Sequence, residues 1–481
     1  MRNSATKTHI YGGSRMNKNF FRRRKKDESD GATRIGIDPI RDVRQISLPR
    51  TLLLGLQHAF AMFGATVLVP ILTGLEISTA LLMAGLGTLV FHLITRGKVP
   101  AFLGSSFAFI VGYNTVAPFV NGNSPNPEQL AKANGGVVIA GLVYLVLALF
   151  IKLFGVRRVM RFFPPVVTGP IIISIGLILA PVAINSASQN WLLAVVALLV
   201  IVICNIWGRG MVKIIPIIIG ITVSYVLALI LNQVDFSQVS KAGLFALPLN
   251  TATFAKFDLS AILTIVPISL ATMMEHVGDI TSISATTGNN YLVNPGLHRT
   301  LIGDGVATSF SAMFGGPANT TYGENTGVLV LTKVYDPRVM QIAAVIAVVL
   351  SFFPAISAVI QSIPAAIIGG VSLVLYGMIS AIGVRNVVEN KVDFTRSRNL
   401  LIAAIILVTA LGFSFSEAGG LVFKVGEYTI TISGLALASI LGIIMNAILP
   451  EKDYVFTEDE PKDTGVDFSG TDSKPLRSSR K

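Results

Sequence analysis

The sequence predicts an all-α protein that crosses a lipid bilayer many times. Three observations carry that prediction. Only 13% of the 481 residues are charged against 52% hydrophobic, and mean hydropathy is +0.68. Soluble domains hold about 25% charged residues. Long apolar runs recur from residue 50 to residue 449, and a helix needs about 20 apolar residues to span a membrane. Basic residues also gather in alternate connections between those runs, as they do in chains with a fixed membrane orientation. That pattern accounts for the net charge of +12 better than nucleic-acid binding does. The single cysteine, Cys204, allows no internal disulfide.

Residues 1–48 are polar and basic, with Arg22-Arg23-Arg24-Lys25-Lys26 at their centre, and read as a disordered cytoplasmic tail. No short apolar stretch with a small-residue cleavage site opens the chain. Fourteen apolar segments follow, at 50–72, 78–95, 101–119, 135–154, 164–185, 191–207, 213–232, 260–284, 301–315, 321–333, 339–361, 364–382, 399–417 and 430–449. The third and tenth are polar or short for full spans and read as half-helices preceded by extended backbone. With the amino terminus inside, the inner connections hold Arg96, Lys98, Arg157, Arg158, Arg161, Arg209, Lys213, Arg299, Lys333, Arg338 and the stretch from Arg385 to Arg398. The outer ones hold Lys132, Lys241 and Lys256. Both termini are therefore expected in the cytoplasm of a cell whose plasma membrane holds the protein. Residues 451–481 read as a second disordered tail.

The two halves repeat weakly. Gln57-His58 precedes Glu275-His276 by 218 positions (275 − 57), and the same shift carries Gly85 and Gly87 onto Gly303 and Gly305, and Ser106 onto Glu324. Later the shift is 200, from Pro164 and Gly169 to Pro364 and Gly369. Seven segments per half is an odd number, so two such repeats in series insert with opposite orientation, the inverted plan of secondary transporters. The expected units are 49–232, an outer loop 233–259, and 260–450. Interrupted segments at matching positions of such repeats mark the binding site, where two helix starts offer free N–H groups and positive dipole ends.

The residues at that point are informative. Glu275 and Asp279 lie one helical turn apart and share a face. Glu324 stands in the polar break Asn319-Thr320-Thr321-Tyr322-Gly323-Glu324-Asn325. An ionisable side chain at membrane depth is costly and marks function by default. Two carboxylates, two helix starts, and the flat surfaces of Phe107 and Tyr322 suit a small ring carrying both carbonyl and N–H groups, such as uracil. Desolvation at this depth disfavours a carboxylate anion, and a neighbouring carboxylate adds to the effect. Glu275, helped by Asp279, is therefore the expected proton-coupled ligand. The competing assignment for each acid is a hydrogen bond that only ties helices together. His58 and His276 follow site positions by one residue, face elsewhere, and read as interhelical hydrogen-bonding groups. No metal-ligand spacing, P-loop or nucleophile–base pair stands out, so neither a metal, a cofactor nor an enzymatic activity is expected.

Several stretches resemble the nucleobase–ascorbate transporter family, and within it bacterial uracil permeases. They are Gln57-His58-Ala59-Phe60-Ala61-Met62-Phe63-Gly64, Gly104-Ser105-Ser106-Phe107-Ala108-Phe109, Glu275-His276-Val277-Gly278, Pro295-Gly296-Leu297-His298-Arg299, Asn319 to Gly327, and Gly369 to Gly377. The resemblance spans about residues 48 to 450. It implies a core domain, 49–154 plus 260–361, and a gate domain, 164–232 plus 364–450, through which homodimers form. It implies that Glu275 and Glu324 bind the pyrimidine by side chain and Phe107 and Gly323 by backbone. Tyr322 is then expected to line the pocket and Tyr376 to lie on the gate side. One departure is Asp279, where uracil permeases resemble one another in carrying His. An acid there resembles purine-transporting relatives, so xanthine or uric acid is the alternative substrate. An anion transporter of the same architecture is the more distant one.

Overall fold

Prolines, glycines and short polar caps decide where the apolar runs begin and end as helices. The computed structural model describes residues 35–119, 125–417, 419–425 and 428–450. The first helices are α1 (Leu48–Thr73) and α2 (Ile77–Ile94), followed by a short strand β1 (Leu103–Ser105) and a seven-residue helix α3 (Ile110–Val116). Next come α4 (Pro127–Phe154), α5 (Pro165–Ala187), α6 (Trp191–Trp207) and α7 (Pro216–Ile230). The second half opens with α8 (Leu259–Thr287), which carries a tight turn at Val266–Ile268 where Pro267 interrupts the ladder. It continues through α9 (Leu297–Met313), strand β2 (Asn319–Thr321), α10 (Gly323–Thr332), α11 (Arg338–Ser351), α12 (Pro354–Gln361), α13 (Ala365–Glu389) and α14 (Ser397–Phe415). Strands β3 (Gly420–Val425) and β4 (Tyr428–Ser433) lead into α15 (Gly434–Ile448). Among the described residues, seven helices are long and apolar enough to cross a membrane, or eight if the bent pair α11–α12 is one span.

Side-chain caps and prolines set several boundaries. Asn126 accepts from Glu128 N and Pro127 opens the helix, so α4 starts eight residues before the apolar run at 135. Asn190 accepts from Leu192 N and Leu193 N to start α6. Pro354 cannot continue the helix before it, and α11 and α12 meet at 85°. Helix α6 exposes Leu192, Val195, Leu199, Ile203 and Ile206 at helical spacing. Such a stripe of exposed apolar side chains is a bilayer-facing surface.

Packing forms two groups. In one, α4 lies against α9, and α2 against α9 and α11, with α1 also on α11. In the other, α5 lies against α13 and α14, α6 against α7 and α13, and α14 against α15. Helix α8 touches α5 and α15 across the seam. Helices α5 and α13 meet backbone to backbone. A Cβ at Gly383 would fall 2.7 Å from the Gly169 carbonyl oxygen and 2.6 Å from the Ile173 nitrogen. Backbone cannot step aside as a side chain can. Gly383→Leu is expected to force the helices apart, costing more than the roughly 1–3 kcal/mol of ordinary overpacking. Thermal unfolding of the purified protein measures this, and an unchanged midpoint would remove the contact.

Three expectations need correction. The extended stretches expected before half-helices 3 and 10 are β1 and β2, paired antiparallel, but the chain is not otherwise wholly α-helical, because β3 pairs antiparallel with β4. The β3–β4 hairpin takes the start of the expected segment 430–449, because Leu421, Val422, Phe423 and Thr431 belong to the β-branched, apolar and aromatic residues that suit a paired extended backbone. Residues 35–47, expected to be tail, are ordered. Ile40 bridges to Val334, Ile40 N and Tyr335 N complete that pairing at 2.8 Å each, and Val43 N donates to Asp336 Oδ2 at 2.8 Å. The rest of that tail, and the carboxyl tail 451–481, lie outside the described residues. Segment nine begins at Leu297 rather than 301.

Candidate functional site

The site is built on two strands too short to stand alone. Leu103 faces Thr321, Gly104 faces Thr320, and Ser105 faces Asn319. Ser106 N to Ala318 O, at 2.8 Å, and Tyr322 N to Phe102 O, at 3.0 Å, extend the pairing at both ends. A buried sheet edge within a membrane must find partners for its backbone groups, and neighbouring helices supply them. Thr88 Oγ1 lies 3.1 Å from Leu103 O and accepts from Leu103 N at 2.9 Å. Thr308 donates to Asn319 O at 2.7 Å, and the Asn319 side-chain Nδ2 donates to Met83 O at 3.0 Å. Tyr322 lays its ring where a Cβ on Gly104 would sit, and its hydroxyl donates to Ser105 O at 3.0 Å. Gly104 is thus needed for close approach.

Helix α10 starts directly after β2, and no side chain caps its first turn. Its N–H groups and dipole end are therefore available to an acceptor. Helix α8 runs alongside. Asp279 Oδ2 accepts from Thr321 Oγ1 at 2.9 Å, and Glu275 Oε2 is buried without a hydrogen-bond partner. Glu275, Asp279, Thr321, Tyr322, Gly323, Glu324 and Phe107 all line one cavity. Ile172 of α5 and Ile379 and Ile382 of α13 close it from the other helix group. That closure is tight. A Cβ on Gly323 would meet Ile382 Cδ1 at 2.6 Å, one on Gly278 would meet Ile172 Cδ1 at 2.9 Å, and the cavity holds about 20 Å³. This is room for about one water.

Of the residues expected at the site, six share that cavity. Tyr376 does not line it. It packs edge-on against Phe107, with ring centres 5.8 Å apart at 79°, and so touches the site from the α13 side. His58 and His276 face away, as their spacing implied. Asn325 Nδ2 donates to the carbonyl oxygen of His58 at 3.2 Å and lies 3.2 Å from its Nδ1. Behind the cavity lies a residue the sequence reading passed over. Asp304 of α9 is fully buried, with Oδ2 3.3 Å from His276 Nδ1. The contact is poorly aligned, and neither Asp304 oxygen has a hydrogen bond. The same His276 nitrogen lies 3.4 Å from Thr321 Oγ1, so the hydroxyl that holds Asp279 also faces this pair. An acid between Gly303 and Gly305 in an apolar run was the available signal.

Comparisons with known proteins agree with this architecture. A family model described as a permease family matches residues 49–419. The uracil permease of Bacillus caldolyticus is 42% identical over 426 residues, covering 86% of this chain and 95% of its own. That of Bacillus subtilis (strain 168) is 41% identical, covering 82% and 92%, and that of Escherichia coli (strain K12) 38%, covering 86% and 96%. Two solved structures share the fold. The transmembrane domain of the cyanobacterial bicarbonate transporter BicA has a TM-score of 0.55 at 14% identity, covering 82% of this chain and 96% of that one. The murine solute carrier 26 family member A9 anion transporter, inward-facing, has a TM-score of 0.58 at 10% identity, covering 92% and 76%. These relatives are permeases, so the chain is a multi-pass transporter rather than an enzyme. With matching that runs through almost every helix and relatives at about 40% identity, the chain belongs to the nucleobase–ascorbate transporter family, the permease family that includes the bacterial uracil permeases.

Proposed function

We propose that the protein carries uracil into the cell together with a proton, by alternating access across the plasma membrane. One observation carries the reading: Glu275 and Glu324, from different helices, open onto one cavity at an uncapped helix start, beside the aromatic ring of Phe107. Uracil offers N–H groups to the carboxyl oxygens and carbonyls to the N–H groups of α10. Relatives named uracil permease over most of the chain support the substrate. Glu275 takes the coupling proton, and Asp279, one turn on, assists. The 20 Å³ cavity cannot admit a heterocycle as it stands, so binding needs Ile172, Ile379, Ile382 and Tyr376 to withdraw from Phe107 and Gly323. That separation divides the core, 49–154 plus 260–361, from the gate, 164–232 plus 364–450. The packing groups favour this division.

Fourteen segments in two inverted repeats also fit the contacts. The 218-residue shift pairs Leu103 with Thr321, and these two face each other in the ladder. The 200-residue shift pairs Gly176 with Tyr376. A Cβ on Gly176 would fall on the Tyr376 carbonyl, while Gly169 meets Gly383 and Gly369 meets Ala183. Contacts that exchange under the shift are what an internal two-fold axis produces. The basic connections favour both termini in the cytoplasm, and a homodimer through the gate helices completes the proposed assembly.

Anion transport is the second reading, since both fold neighbours carry anions by name. An anion site wants a cation, and the cavity is lined by three carboxylates and no Lys or Arg. Xanthine or uric acid is the alternative substrate, suggested by Asp279. Radiolabelled uracil uptake into proteoliposomes separates these. Uptake is expected to rise above equilibrium under an acid-outside gradient, collapse with a protonophore, and resist excess xanthine. Uptake of xanthine in preference to uracil would assign the chain to purines, and gradient-insensitive uptake would remove the proton.

A further inference from the structure

A second cavity, of about 460 Å³, lies between the start of α1, the end of α10 and the basic connection from α6 to α7. It lies outside the substrate site and shares no residue with it. Its walls come from both packing groups. Arg50, Leu53 and Leu54 stand on the first turns of α1, Leu331 ends α10, and Met211 and Lys213 belong to the connection between α6 and α7. At its floor the Gln57 amide meets Met211 Sδ at 2.6 Å, a direct contact between the two groups. The lining is mostly apolar, yet two cations border it. Among the described residues no carboxylate forms an ion pair with Arg50 or Lys213.

An apolar recess bordered, among the described residues, by two cations without ion pairs, at the ends of apolar helices, is complementary to one class of molecule. We propose that this cavity binds an anionic phospholipid of the cytoplasmic leaflet. Its phosphate sits between Arg50 and Lys213, and an acyl chain lies over Leu53, Leu54, Met211 and Leu331. Basic recesses between transmembrane helices on the cytoplasmic side recognise such headgroups. A zwitterionic lipid brings its own cation to the same place and gains less. The ligand bridges α1 and the α6–α7 connection, which belong to different groups. Its occupancy therefore depends on how far those groups are separated, and by linkage it biases that separation in turn. The proposal needs neither uracil nor a proton, so it stands or falls independently of the substrate assignment.

The test uses the purified full-length protein in mixed micelles with phosphatidylglycerol carrying a photoreactive diazirine on one acyl chain. Cross-linked peptides are expected to map to Leu53–Leu54, Met211 or Leu331. Competition should follow unlabelled phosphatidylglycerol and neither phosphatidylcholine nor inorganic phosphate. Removing one cation at a time, by Arg50→Gln or Lys213→Gln, should lower labelling about fivefold each, since a basic residue near an anionic surface contributes about 1 kcal/mol. Arg50→Lys should keep it. Arg157→Gln, on another basic connection, should leave it unchanged and serves as the control. Labelling that stays at wild-type level in both neutralised variants, or that falls equally in Arg157→Gln, overturns the site. Competition by inorganic phosphate at equal concentration overturns the lipid and leaves a free-phosphate site. Labels found only on other helices overturn the acyl-chain placement.

Discussion

Replacing Glu324 with alanine is expected to lower uracil affinity by roughly a hundredfold or more, beyond detection in an equilibrium assay. The carboxyl stands in the first turn of α10, where the dipole and the uncapped N–H groups favour negative charge. In the proposed complex it accepts N–H groups from the ring while the backbone beside it donates to a ring carbonyl. Alanine deletes the acceptor and leaves the substrate N–H groups unpaired in a closed space. A hydrogen bond to a charged group contributes about 1.5–3 kcal/mol, and leaving its partner unsatisfied costs further. The fold should survive, because α10 keeps Asn325 on His58, and the strand that leads into it keeps Thr321 on Asp279 and the β1–β2 ladder. Isothermal titration of uracil against the folded variant makes the measurement. Retained affinity would take Glu324 out of the site and return it to a helix-tying role.

Much of this arrangement was legible in the sequence, and the illegible parts have physical reasons. Glu275 and Asp279 announce a shared face because helical spacing is regular. Glu324 announces itself because a polar break in an apolar chain is expensive. The shift of 218 even pairs Leu103 with Thr321, the residues that face each other. Three-residue strands, by contrast, have no period to read. Their stability comes from Thr88 and Thr308 on neighbouring helices and from the Asn319 side chain reaching Met83 of α2, which no local pattern reports. Asp304 was passed over because it sits in a small-residue helix rather than at a break. Its partner, His276, is 28 positions away. The order in residues 35–47 was hidden by their charge. Composition describes side chains, whereas this segment is held largely by backbone bonds from Ile40 to Lys333 and Tyr335. Tyr376 was placed on the gate side, and its ring does reach Phe107, but the cavity wall there is Ile379 and Ile382.

Glu275→Gln is expected to separate uracil binding from uphill transport. Glutamine has the shape and neutrality of a protonated glutamic acid, so it fills the same corner beside Phe107 and Asp279. It still offers a carbonyl oxygen to the ring, and affinity should change by less than about tenfold, the worth of roughly one hydrogen bond. What glutamine cannot do is take up and release a proton. A carrier that moves substrate without its proton can exchange but cannot accumulate, because a gradient drives only the steps to which it is coupled. Proteoliposomes loaded with unlabelled uracil should therefore still exchange it for labelled uracil. Net accumulation under an acid-outside gradient should disappear. Asp279 is the nearby acid able to compensate, and its carboxylate is already engaged by the Thr321 hydroxyl at 2.9 Å. If Glu275→Gln still accumulates uracil, the proton rides elsewhere, and the double variant with Asp279→Asn shows whether it rides one turn along α8. If exchange is lost together with accumulation, Glu275 is needed as an anion for binding itself, and coupling has to be assigned to a different carboxyl in the same cavity.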